Sequence, residues 1–222
     1  MTMYYTNISA FRDELLFRQL YQTLPPCRKE KIDRLKPEGE RCRSLGAGLL
    51  LKHACEDYGM PGEDGALSLN EFGRPSFTNR PEVHFSLSHS GNWVICVLSP
   101  LPVGCDVEQV KPYNHAIPKR VFTAEECRWL AKEEENKRGD GAFCRVWTLK
   151  ESFLKVTGKG FAFPITEASF SFENGDICFH LHGEQNHSYS FFEWNGLPEC
   201  CASVCLQSEE TVLPEIIPVS FS

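Results

Sequence analysis

The sequence holds 11 cysteines but no pair at C-x-x-C spacing, and the number is odd. Zinc ribbons and thioredoxin-like motifs need that spacing, and a disulfide framework needs an even set in a small secreted chain. Both are disfavoured, and the thiols read as small buried hydrophobes in the reduced state. No apolar run approaches the roughly 18 residues of a membrane span. The first residues, Met1 to Ala10, carry no basic stretch followed by an apolar one. A cytoplasmic protein without a membrane partner is therefore expected. Basic residues are the minority, 23 Lys and Arg against 30 Asp and Glu, for a net charge of -7. A general nucleic-acid binder must neutralise many phosphates, so no nucleic-acid partner is expected and any anion site must be a local cluster. Repeats of the usual solenoid periods are also missing.

What is present suffices for a sizeable core: 222 residues, 41% apolar and 12% aromatic, fit one large domain or two small ones. Ser9 is positioned to cap a first helix from Ala10 to about Thr23, with Phe11, Leu15, Leu16 and Leu20 at helical spacing and Pro25-Pro26 as its stop. Leu45, Leu49, Leu50 and Ala54 predict a second helix over about 38–58, stopped by Gly59 and Pro61. Residues 59–82 read as loops. Three strands follow, over 83–89, 93–98 and 103–108. The first alternates, with Val83, Phe85 and Leu87 on one face and His84, Ser86 and Ser88 on the other. Ser90-Gly91-Asn92 signals a hairpin and puts His89 at a strand end. Thr123 and Glu126 form a capping box, and Asp140 is placed to cap a longer helix ending at Gly158. From Ala168 to Cys205 short strands alternate with Asn-Gly, His-Gly and Asn-Gly turns. Helices and antiparallel strands in both parts predict an α+β fold of two similar halves, 1–104 and 105–222.

In the strand Val103 to Glu108 the two-residue period puts Asp106 and Glu108 on one face, about 6–7 Å apart. Two carboxylates so placed repel unless a cation lies between them. All-oxygen ligation favours magnesium, which takes one or two carboxylates together with waters and phosphate oxygens. Two exposed acids at a strand end are the alternative. In the helix around residue 150, Val146, Leu149, Phe153 and Val156 form a core stripe, while Trp147, Glu151 and Lys155 lie at i, i+4 and i+8 on another face. That carboxylate and ammonium are either an ordinary exposed pair or part of a site. His89 and Ser88 could hydrogen-bond a phosphate. Arg28, Lys31, Arg43 and Arg74 are candidates for a basic cluster. The capping box alone accounts for Glu126.

Four segments in this order, His84 to Gly91 (HFSLSHSG), Val103 to Glu108 (VGCDVE), Arg120 to Glu126 (RVFTAEE) and Trp147 to Lys155 (WTLKESFLK), together resemble the surfactin-synthetase-activating type of 4'-phosphopantetheinyl transferase. Phe72 to Pro75 (FGRP) matches that family's Gly-Lys/Arg-Pro element. The resemblance implies a monomer of two α+β halves in pseudo-two-fold arrangement. It also implies coenzyme A in the cleft between them and magnesium at its pyrophosphate. The activity implied is transfer of phosphopantetheine to a serine of apo acyl or peptidyl carrier proteins, as in peptide and polyketide synthesis, with release of adenosine 3',5'-bisphosphate. On the same resemblance Asp106, Glu108 and Glu151 are the metal ligands, and Ser88, His89 and Lys155 contact coenzyme A phosphates. Arg28 and Lys31 meet the 3'-phosphate, and Ser44 and Arg74 supply further contacts. Arg28 and Arg74 stand where the family often has Lys, and either cation suits a phosphate. Glu151, His89 and Lys155 are the implied catalytic residues. A magnesium-dependent phosphohydrolase, or a binding module that has lost activity, are the competing readings of the same residues.

Overall fold

The computed structural model describes residues 1–173 and 175–222. In chain order the elements are β1 (Thr2–Asn7), α1 (Glu14–Gln22), α2 (Pro26–Asp33), α3 (Glu38–Asp57), β2 (Leu67–Leu69), β3 (Pro75–Phe77), β4 (His84–Ser90) and β5 (Trp93–Ser99). They continue with β6 (Val103–Gln109), α4 (Pro118–Val121), α5 (Ala124–Glu135), α6 (Gly139–Thr157), β7 (Ala168–Glu173), β8 (Asp176–Leu181), β9 (Glu184–Gln185), β10 (Ser190–Trp194), β11 (Cys200–Leu206) and β12 (Glu215–Pro218). The chain has an α+β fold, as its sequence pattern predicts. It divides into two compact units, Met1–Pro102 with Leu213–Ser222, and Val103–Val212. The sequence division ran 1–104 and 105–222; the final segment joins the first unit because β12 pairs in parallel with β1.

In the first unit the sheet order is β12-β1-β5-β4, with β2 and β3 forming a separate hairpin inside the stretch read as loop. The helix α3 lays Leu45, Leu49, Leu50 and Ala54 against Tyr4, Phe85, Val94 and Cys96 of this sheet. Each fully buried leucine contributes roughly 2 kcal/mol. Close approach requires Gly46: a Cβ there would meet Ile8 at 2.6 Å and Val94 at 3.0 Å.

Three local expectations change. Residues Ser9–Arg12 form a 3-10 turn, and the cap of α1 is Asp13, whose carboxylate accepts from the Leu16 N–H at 2.9 Å. Asp13 is extended, the geometry a cap needs, whereas the chain at Ser9 is already turning. Pro26 starts α2 rather than only ending α1, because its fixed φ and missing N–H suit the first helical position. On β4 the serine face is buried along with the apolar one: Ser86 and Ser88 are inside, and His89 is exposed. The predicted hairpin stands, with Gly91 at φ 56° between β4 and β5.

In the second unit β10-β11-β6 form one sheet and β7-β8-β9 another. The helix α6 packs its stripe of Leu149, Phe153 and Val156 into a core with Phe170, Phe179 and Cys205. Val146 joins Phe122, Leu130 and Ala142 in a smaller cluster under α5. The capping box opens α5 as predicted, and Gly158 ends α6 at φ 70°. Asp140 lies in the first turn of α6; the residue at the cap is Arg138, without a side-chain hydrogen bond. The His182-Gly183 turn forms, both residues at positive φ. Between β10 and β11 the turn runs through Leu197 to Glu199 instead of Asn195-Gly196. The first expected Asn-Gly turn includes Asn174, which lies outside the described residues.

Candidate active site

The acidic strand and the helix facing it are held together by a missing side chain. A Cβ on Gly104 would lie 2.0 Å from the Ser152 carbonyl oxygen and 2.6 Å from the Val156 nitrogen, so only glycine lets α6 rest on β6. The same face of β6 carries Asp106 and Glu108, and α6 covers it with its C-terminal half over Gly104 and its N-terminal half over Glu108. At the first point Lys155 Nζ donates to Asp106 Oδ1 at 2.7 Å and to the Cys105 carbonyl at 2.9 Å. At the second, Cys144 Sγ donates to the Glu108 carbonyl at 3.3 Å. Asp106 is buried and Glu108 half-buried, so the bland reading of two exposed strand-end acids does not hold.

Glu151 sits over this pair from α6. Burial, and next the charges of Asp106 and Glu108, push its carboxyl up to about 7, against the pull of Lys155. Burial, the largest single influence, would lower the Lys155 ammonium, but Asp106 together with Cys105 and Glu151 turns the net shift upward. The helical spacing thus brought Glu151 and Lys155 to the face that β6 makes acidic. Trp147, on the same helical face, is half-buried and stacks on Phe143 with 14° between the rings. Both line a pocket of about 270 Å³ beside Glu108, with Tyr113 and Ile117. Among the described residues no three His, Cys, Asp or Glu side chains close on one another tightly enough to cage a metal ion. The acids nevertheless form an all-oxygen donor set that repels itself. Such a set suits a hard cation sharing its shell with water and phosphate oxygens.

The remaining predicted residues lie on the first unit. Arg28 and Lys31 are one turn apart on α2, and the Arg28 stem packs where a Cβ on Gly48 of α3 would meet it at 2.8 Å. Burial lowers the Arg28 guanidinium; burial and then the Arg28 charge lower Lys31. Neither forms an ion pair among the described residues. Ser44 is buried on α3 with its Oγ lacking a hydrogen-bond partner among the described residues. Arg74 projects from the β2–β3 turn, where the Asn70 side chain accepts from the Phe72 and Arg74 N–H groups and Gly73 adopts φ 83°. Burial lowers the Arg74 guanidinium as well. Arg43 is paired with Glu40 at 2.7 Å and so is not a free cation for a ligand.

Sequence reasoning missed Lys150 and undervalued Glu126. Both side chains are 0% exposed and form an ion pair at 2.9 Å. Lys150 also donates to the Ala168 and Ile165 carbonyls, while Glu126 accepts from the Phe170 N–H at 2.9 Å in addition to closing the capping box. A signal existed: Lys150 is four residues after Val146 and three before Phe153, a position on the core stripe where a lysine needs a buried acid.

The geometry agrees with what comparison finds. A family model described as the 4'-phosphopantetheinyl transferase superfamily matches residues 102–205, the stretch that holds the acidic strand and α6. The chain is 31% identical over 168 residues to 4'-phosphopantetheinyl transferase Sfp of Bacillus subtilis (strain 168), covering 75% of each chain. It is 31% identical over 170 residues to 4'-phosphopantetheinyl transferase psf-1 of Bacillus pumilus, covering 75% of this chain and 72% of that one. With the L-aminoadipate-semialdehyde dehydrogenase-phosphopantetheinyl transferase of Mus musculus it shares 27% over 195 residues, 78% of this chain and 63% of the relative. The chain therefore belongs to the 4'-phosphopantetheinyl transferase superfamily and is an enzyme of its Sfp-like type.

Proposed function

We propose that the protein transfers the 4'-phosphopantetheine group of coenzyme A to a serine of apo acyl or peptidyl carrier proteins, acting as a cytoplasmic monomer. The observation that carries this reading is the contact of α6 with the acidic strand: Lys155 bridges to Asp106 at 2.7 Å, and burial with the charges of Asp106 and Glu108 raises the Glu151 carboxyl to about 7. Asp106, Glu108 and Glu151 would hold magnesium, which when bound neutralises the pyrophosphate and the charge of the departing group.

The chain's own groups do the rest. A serine Oγ of the carrier forms a bond to the phosphorus that bears pantetheine, and the bond from that phosphorus to the bridging oxygen breaks. Adenosine 3',5'-bisphosphate leaves with the bridging oxygen. The serine proton passes to the Glu151 carboxylate, directly or through a water. Lys155 and His89 donate to oxygens on which charge develops, and Ser88 adds a hydroxyl donor. Arg28 and Lys31, one helical turn apart and without an ion pair among the described residues, bind the 3'-phosphate; Ser44 and Arg74 complete the contacts to coenzyme A.

The test is the intact mass of an apo carrier protein incubated with the enzyme, coenzyme A and magnesium, with a chelator control and Glu151→Ala alongside. A chelator-sensitive gain of one phosphopantetheine, lost in the variant, is expected. Release of adenosine 3',5'-bisphosphate without any carrier would identify a hydrolase instead. No gain on carriers from fatty-acid, polyketide and peptide synthases would overturn the transfer reading.

A further inference from the structure

The acidic face of β6 is also where two of the chain's thiols converge. Cys201 on β11 is the register partner of Glu108 on β6. Cys144, on α6, reaches the same residue from above through its hydrogen bond to the Glu108 carbonyl. Cys201 Sγ also donates to the Gly141 carbonyl at 3.8 Å, and Gly141 lies one turn before Cys144 on α6. Both sulfurs are therefore held in one seam, between a single turn of α6 and the paired strands β6 and β11. A small oxidant has a way in: Cys201 is half-buried, and a Cβ built on Gly141 would meet no atom within 4 Å.

We propose that Cys144 and Cys201 are a redox modification site that hydrogen peroxide closes to a disulfide, tying α6 to β11 beside Glu108. In the first step one thiol takes an oxygen from peroxide, becoming a sulfenic acid and releasing one water. In the second the other sulfur attacks it, forming the S–S bond and releasing a second water. Two thiols and one peroxide thus give one disulfide and two waters, and a dithiol reductant reverses the change by exchange. Closing the bond removes the S–H that holds the Glu108 carbonyl and draws α6 towards β11. Glu108 and Glu151 are carried by β6 and α6, so their spacing changes. The effect on transfer rests on the role proposed above for those acids, but the bond itself does not.

The experiment exposes the full reduced chain to hydrogen peroxide, blocks remaining thiols with N-ethylmaleimide, and maps unreduced proteolytic peptides by mass spectrometry, with transfer assayed on the same samples. The expected result is a peptide pair joined through residues 144 and 201. With it comes a transfer rate reduced about tenfold, or 1.36 kcal/mol of barrier, that dithiothreitol restores. Cys201→Ser should fold, lose the joined peptide and keep its rate through the peroxide treatment. If both thiols are recovered blocked by N-ethylmaleimide while exposed Cys27 is oxidised, the site is overturned. A joined pair with an unchanged rate overturns the coupling to Glu108. Should the reduced enzyme show no transfer at all, the peptide map still decides the disulfide, and only the functional reading fails.

Discussion

Removing the carboxylate of Glu126 should cost far more than the loss of a helix cap. A capping residue contributes about 1 kcal/mol. Glu126 does more: it compensates a lysine ammonium that is 0% exposed and accepts the N–H of Phe170. In Glu126→Ala both groups stay buried without that partner, and breaking a buried pair costs about 3–5 kcal/mol. At roughly 2–4 °C per kcal/mol for a chain of this size, the melting temperature should fall by about 6–20 °C. The deficit should also depend on pH. Burial holds the Lys150 pKa below its ordinary 10.5, opposed by Glu126. A folded state with a depressed lysine pKa binds fewer protons than the unfolded chain between that depressed value and the ordinary 10.5, so stability rises with pH across that window. Without Glu126 the depression deepens. The variant should therefore be weakest relative to the parent near about pH 6 and recover part of the difference by about pH 9. Urea unfolding at both pH values measures this, and the double variant Glu126→Leu with Lys150→Met should be more stable than either single change. A deficit within about 1 kcal/mol at both pH values, with no coupling in the double variant, would refute the ion-pair argument and leave Glu126 a cap.

Two further outcomes follow from the site. Glu151→Gln should abolish most turnover yet raise the melting temperature above neutral pH and not below about pH 5. The folded carboxyl titrates at about 7 against 4.5 unfolded, so its destabilising charge appears only as pH rises through that window. Calorimetry of the metal-free protein at both ends checks it, and an equal shift at both would count against a mutually repelling acid cluster. Gly104→Ala should sharply lower the yield of folded protein, because the added Cβ would sit 2.0 Å from backbone rather than from a flexible side-chain end. Normal expression and melting of that variant would contradict the close packing of α6 on β6.

Much of this protein was legible in sequence because its signals are short-range. The capping box at Thr123, the left-handed stop at Gly158, the hairpin at Gly91 and the stripe of Val146, Leu149, Phe153 and Val156 each depend on residues within a few positions of one another. The face shared by Asp106 and Glu108, and the one shared by Glu151 and Lys155, follow from the periods of strand and helix. What those periods leave open is which faces meet. Only the tertiary structure placed Lys155 on Asp106, paired Lys150 with Glu126, brought Cys144 and Cys201 to one seam beside Glu108 and turned Gly104 into the contact that brings α6 onto the acidic strand. It also decided that β12 returns to β1 and that Asp13 rather than Ser9 caps α1. A periodic pattern fixes a side chain's direction on its own element. Burial, ion pairing and the raised Glu151 carboxyl depend on what a distant segment brings to that face.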